Sequence, residues 1–170
     1  MNDPNPYRSP EAVVADLSAD DSLASRGARL GASLIDGVIM FGILMPLMYV
    51  GGYWRAAMDA AASGGQPQIG TVLLWALIGF AVFAAVQFVP LNATGQTWGK
   101  KILGIRIADL EGGKPPIGRL LGMRYLPVHA VSNIPFIGPL AVLVDILLIF
   151  REDRRCAHDL IAGTRVVNAK

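Results

Sequence analysis

The stretch RGARLGASLIDGVIMFGILMPLMYV, residues 26–50, decides what kind of protein this chain is. Its apolar run exceeds the roughly 20 residues that a helix needs to cross a bilayer, yet Arg29 and Asp36 lie within it. A second run of similar length covers about 70–91. Composition agrees. Of 170 residues 53% are apolar and 16% charged, where a soluble domain carries about 25% charged residues. Mean hydropathy is +0.46. Fifteen Lys and Arg against 13 Asp and Glu leave a net charge of +2, too little to argue for a nucleic-acid partner. The single cysteine, Cys156, permits no internal disulfide. A soluble enzyme, a disordered chain and a disulfide scaffold all fit poorly; a small integral membrane protein fits, with the lipid bilayer as its first partner.

Working outward, residues 1–23 are polar, net acidic and proline-bearing (Pro4, Pro6, Pro10) and read as a mobile tail. No basic n-region or cleavage site marks a signal peptide. Gly51, Gly52 and the cluster at 63–67 mark an exposed connection after the first span, with Tyr53 and Trp54 as interface anchors. Residues 92–116 are polar and glycine-rich. The apolar stretch 117–150 is too long for one ordinary span and short for two. Asn133, Pro135, Gly138 and Pro139 break it near the middle, which predicts two short helices joined by a turn. Basic residues gather after span two (Lys100, Lys101, Arg106, Lys114) and after Phe150 (Arg151, Arg154, Arg155, Arg165). The positive-inside rule places both regions in the cytoplasm, so the stretch between them crosses an even number of times. The expected architecture is an all-α membrane protein. Residues 24–167 form a small transmembrane helical bundle of four segments, the last two short or re-entrant, with both termini cytoplasmic.

A short repeat lies outside the spans: KILGIRI at 101–107 matches LIAGTRV at 160–166, with Gly104 and Gly163 in register. Each copy reads as a helical turn, a glycine C-cap and a β-branched strand. The two copies are expected to pair as a two-stranded β ribbon on the cytoplasmic face.

Ionisable residues within spans are costly and need partners or water. Arg29, Ser33 and Asp36 fall on one face of the first helix. Arg29 can snorkel to the interface, whereas Asp36 lies about 15 Å inside, at about 1.5 Å per residue. Counted from the segment ends, Arg124 and Asp145 share a depth and form a plausible ion pair, with Gln87 in the same layer and His129 deeper. Two readings stay open: pairs that fix helix register, or the lining of a cation or proton path. Structure is preferred for Arg124–Asp145, and function for Asp36. Gly27 and Gly31 make a small-xxx-small pair that suits close helix packing, and Pro127 a kink.

Several catalytic signals fail. GQTWGKK at 95–101 lacks the spacing and the Ser or Thr of a phosphate-binding loop. Cys156 and His158 have no further zinc ligand nearby in sequence. His158-Asp159 comes with no activated serine. No enzyme, cofactor or metal is expected.

At these residues the chain resembles the RDD family of small bacterial membrane proteins, named for one arginine and two aspartates. RLGASLID at 29–36 is similar to its first-helix pattern, TGQTWGKKILGIRI at 94–107 to its loop motif, and HDLIAGTRVV at 158–167 to its C-terminal signature. Trp98 stands where the family often has proline. Arg29 and Asp36 match the first two named residues; Asp159, or else Asp145, matches the third. The resemblance implies the bacterial inner membrane and transport, with cation/proton exchange proposed for some members. In that reading Asp36 alternates between a proton and Na⁺ or K⁺, Arg29 tunes it, and Ser33, Gln87, Arg124, Asp145 and Asp159 complete the network in a homo-oligomer. The alternative is a non-transporting scaffold or accessory protein whose buried charges fix packing and whose cap binds a partner.

Overall fold

The computed structural model describes residues 22–134 and 136–169. The expected tail therefore lies largely outside the described residues, and only its end, Ser22 and Leu23, lies within them. Two long helices dominate the fold, α1 (Arg26–Val50) and α3 (Ile69–Thr94). Both are long and apolar enough to cross a membrane. The Ser25 hydroxyl caps α1 by accepting from the Ala28 amide. Gly95, in the left-handed region at φ 70°, ends α3.

The connection between them is not simply an exposed loop. Its middle folds as α2 (Tyr53–Ala62), because YWRAAMDAAA is half alanine, the strongest helix former. Tyr53 packs edge-on against both Trp54 and Trp75, so it serves as a packing residue at that end.

Past α3 come a single turn α4 (Trp98–Ile102) and strand β1 (Ile105–Asp109). The 117–150 stretch divides into two helical pieces about the expected break. The first joins α5 (Ile117–Arg119), a π-helical turn at Leu120–Tyr125 and α6 (Leu126–Ser132). The second is α7 (Ile137–Leu147), ending in a 3₁₀ turn at Leu148–Phe150. Pro127 does not break the first piece. The backbone widens just before it, with the Leu126 amide bonded five residues back to Leu121. That π turn buries both Leu120 and Arg124. A last turn, α8 (Ala157–Ala162), precedes β2 (Thr164–Asn168).

The strands pair antiparallel with Ile105 opposite Asn168 and Asp109 opposite Thr164. The paired strands follow Gly104 and Gly163, at φ 62° and 60°, so the internal repeat is a pair of equivalent turn–glycine–strand units. Residues 22–24 extend the ribbon: Leu23 bridges Val167, and the Ala24 amide donates to the Val166 carbonyl at 3.0 Å.

The core lies at this end of the molecule. Ala24 and Ala32 near the start of α1, Leu91 near the end of α3, Leu120, and the inward strand residues Ile105, Ile107 and Val166 form one buried cluster. The expected Gly27–Gly31 packing pair is only half realised. A Cβ on Gly27 would meet nothing within 4 Å, and one on Gly31 would press the Leu103 side chain. The closest approach is at Gly99, whose Cα faces the Ala32 carbonyl of α1.

Candidate functional site

Two polar centres sit beneath the ribbon. The first is built around Asp159, fully buried in the opening turn of α8. One carboxylate oxygen accepts from its own helix, at the Cys156 amide (3.1 Å), and from Arg29 Nη2 (2.5 Å). The other accepts from Arg124 Nη1, which also donates to the Thr164 hydroxyl at 2.5 Å. Arg29 further donates to the Arg154 carbonyl and, at 3.5 Å, to the Cys156 sulfur. One acid thus ties α1, the π turn and α8 together, with arginines 6% and 1% exposed.

Burial alone would raise the Asp159 pKa. The facing guanidinium charges of Arg124 and Arg29 outweigh it and hold the carboxyl well below its usual range. Burial, with nearby Arg124, also lowers the His158 pKa. The Cys156 thiol is pushed up by burial to about 11.

The second centre is Asp36 on α1. It accepts three hydrogen bonds, from Gln87 Nε2 (3.1 Å), the Thr97 hydroxyl (2.5 Å) and the Gly99 amide (2.8 Å). Gln87, wholly buried, turns its carbonyl to the Trp98 amide at 3.0 Å. The Lys100 amide donates to Thr97 Oγ1 at 3.3 Å. The first three amides of α4 are thereby capped by Gln87, Asp36 and Thr97 in turn, and the carboxylate stands where the helix end favours negative charge. Asn has one carbonyl where Asp has two acceptors, so Asp36→Asn turns an NH₂ toward these donors. The expected outcome is a loss of about 1–3 kcal/mol, read as a lower thermal midpoint in detergent.

The expected residues are regrouped in three respects. Arg124 does not pair with Asp145, because α8 folds under the helices and delivers Asp159 to it. Asp145 instead takes His158, whose Nδ1 lies 2.7 Å from one oxygen and whose amide donates to the other at 3.1 Å. Ser33 does not join an oxygen site at Asp36; its hydroxyl donates back to the Arg29 carbonyl at 3.1 Å. His129 stands apart, bonded to the Ala76 carbonyl at 2.8 Å beside Phe80. Gln87 is where it was expected.

The fold also adds a ligand that sequence neighbours do not supply. Donor atoms of Asp145, Cys156 and His158 lie within 4.8 Å of one another, a three-residue set where only Cys156 and His158 stood close in sequence.

The family model described as "RDD family" matches residues 23–163, which include Arg29, Asp36, Arg124 and Asp159. The chain belongs to the RDD family. It is 32% identical over 142 residues to "Uncharacterized protein YckC" of Bacillus subtilis, covering 83% of this chain and 82% of that one. An "Uncharacterized protein" of Haemophilus influenzae is 26% identical over 145 residues, 85% of this chain and 77% of its own. No solved structure shows significant similarity.

In this RDD protein the arginine and the Asp159 of the sequence resemblance are in direct contact, while Asp36 belongs to the α4 cap. Sequence reasoning missed Thr97, Gly99 and Thr164. Thr97 carried a signal: a threonine three residues before Lys100 opens a helical turn as an N-cap. Gly99 and Thr164 carried none, since only the packing of α4 on α1 and the arrival of Arg124 give them roles.

Proposed function

We propose that this RDD protein is a multi-pass membrane protein whose buried charges lock a cytoplasmic cap onto its helices, and that it acts as a scaffold for a partner rather than as an ion carrier. The observation that carries this reading is the pairing of the acids. Asp159 is held by two arginines, Asp36 by three donors and Asp145 by His158. Each carboxylate is already engaged by the protein's own groups, so a cation binding there must first displace them.

The bilayer part of the proposal is supported by outward-facing apolar side chains on α1, α3 and α7. Val38, Phe41, Leu77 and Leu140 are each more than 60% exposed, a pattern suited to lipid and unfavourable in water. Lys100, Lys101, Arg106, Arg151, Arg154, Arg155 and Arg165 all lie on the cap or beside it, which supports, through the positive-inside rule, a reading with that end and both termini in the cytoplasm. In this topology the 117–132 and 137–150 pieces form a short pair entering from the same side.

Exchange of Na⁺ or K⁺ for protons, in a homo-oligomer, is the competing reading that the family resemblance brings. Proton flux in proteoliposomes under Na⁺ or K⁺ gradients separates the two. The scaffold reading predicts no cation-driven flux from folded wild-type protein. Cation-driven flux that a folded Asp36 variant lacks contradicts it.

A further inference from the structure

A cavity of about 110 Å³ opens between the two polar centres, among Arg29, Ser33, Lys100, Arg124, Asp145 and His158. A single water needs about 10–15 Å³ of such space, so the cavity has room for a larger group. Three cationic side chains on its wall are more than nine-tenths buried: Lys100 at 8% exposure, Arg29 at 6% and Arg124 at 1%. They are not equally satisfied. Arg29 and Arg124 share Asp159, while the Lys100 ammonium has no hydrogen bond or ion pair among the described residues. Arg124 Nε is also buried without a partner.

Arg29, Lys100 and Arg124 supply three positive charges and Asp36, Asp145 and Asp159 three negative ones, but among the described residues no carboxylate pairs with Lys100. Asp36 already has both oxygens committed to Gln87, Thr97 and Gly99. The Lys100 stem is buried while its ammonium is not among the sealed, unpaired atoms, so on the cavity wall it stands open to an anion that enters.

We propose that this cavity is a binding site for a compact oxyanion of the phosphate class, held by Lys100 with Arg29 and Arg124 beside it. Guanidinium and ammonium groups donate to phosphate oxygens through short, charge-assisted hydrogen bonds, and the Ser33 hydroxyl on the same wall is a further donor or acceptor. Two sources offer that chemistry: the phosphate of an anionic lipid, reached from the cytoplasmic leaflet, and free phosphate.

A divalent metal on Asp145, Cys156 and His158 is the rival occupant of the same space. It is disfavoured because the three cations surround it. In addition, the Cys156 thiol, with its pKa near 11, resists becoming the thiolate that zinc binds.

Lys100 is the residue to change, because it belongs to no ion pair whose loss would loosen the fold. Purified wild-type protein and Lys100→Gln are compared by thermal unfolding in three series. The first is detergent with inorganic phosphate against chloride at equal ionic strength. The second is nanodiscs of phosphatidylcholine with or without phosphatidylglycerol. The third is detergent with zinc. At about 100 times its Kd, a ligand binding only the folded state raises the midpoint of a chain this size by on the order of 5–10 °C. The proposal expects such a rise with phosphate or with phosphatidylglycerol, and its loss in Lys100→Gln. A rise with phosphate identifies the free anion as an occupant, and a rise with phosphatidylglycerol alone identifies the lipid. No rise with either overturns the proposal, as does a rise of equal size in Lys100→Gln. A rise with zinc alone, abolished by Cys156→Ser, assigns the cavity to a metal and overturns it too.

Discussion

Asp159→Asn should destabilise the protein by about 3–5 kcal/mol, the cost of breaking a buried ion pair by removing one partner. Asparagine fits the space but leaves Arg29 and Arg124 as two buried positive charges with no facing carboxylate. In a chain of this length that is a fall in thermal midpoint of about 10 °C or more. The effect has a pH signature. The Asp159 carboxyl titrates below its usual range in the fold and near 3.9 when unfolded. A depressed folded pKa contributes stability that is complete above the unfolded value and is lost as pH falls toward the folded one. The gap between wild type and Asp159→Asn should therefore be constant from about pH 7 to 5 and narrow below pH 4.

Gly99→Val should be nearly as damaging, for a reason of shape rather than charge. A Cβ at Gly99 collides with the Ala32 carbonyl oxygen of α1 and comes within 3.0 Å of the Asp36 carboxylate carbon. Ala32 is fully buried within a continuous helix and cannot give way. Either α4 lifts off α1, which uncouples Asp36 from Thr97 and Gly99, or the helix bends. Overpacking of this kind costs about 1–3 kcal/mol, and losing the cap adds to it. Gly27→Ala is the matched control, because nothing lies within 4 Å of its Cβ. There alanine's helix propensity should leave stability unchanged or raise it by up to about 1 kcal/mol. Thermal midpoints of the two variants, measured side by side in detergent, check both expectations.

The long elements were legible because their signals are local. The apolar run at 26–50 ends where α1 ends, and the KILGIRI and LIAGTRV repeat places both glycines and both strands. The alanine-rich helix α2 was legible in principle, but the flanking glycines argued for a loop. The pairings were harder to read. Depth along a helix put Arg124 level with Asp145, but depth says nothing about which element arrives from below. It is α8, reached through the turn after Phe150, that inserts Asp159 between two arginines and leaves Asp145 to His158. Lys100 reads in sequence as part of a solvated basic loop. Only the seating of α4 on α1 buries it.

Replacing the whole clamp, rather than one member, tests the central claim most directly. If Arg29, Asp159 and Arg124 serve to lock the cap, their charges are dispensable together though not singly, because well-packed apolar groups often replace a buried ionic triad without loss. The measurement is the thermal midpoint of Asp159→Leu against that of the triple variant Arg29→Met, Arg124→Met, Asp159→Leu. The account predicts that the triple variant recovers at least half of the stability lost in the single one. A triple variant no more stable than Asp159→Leu would contradict it.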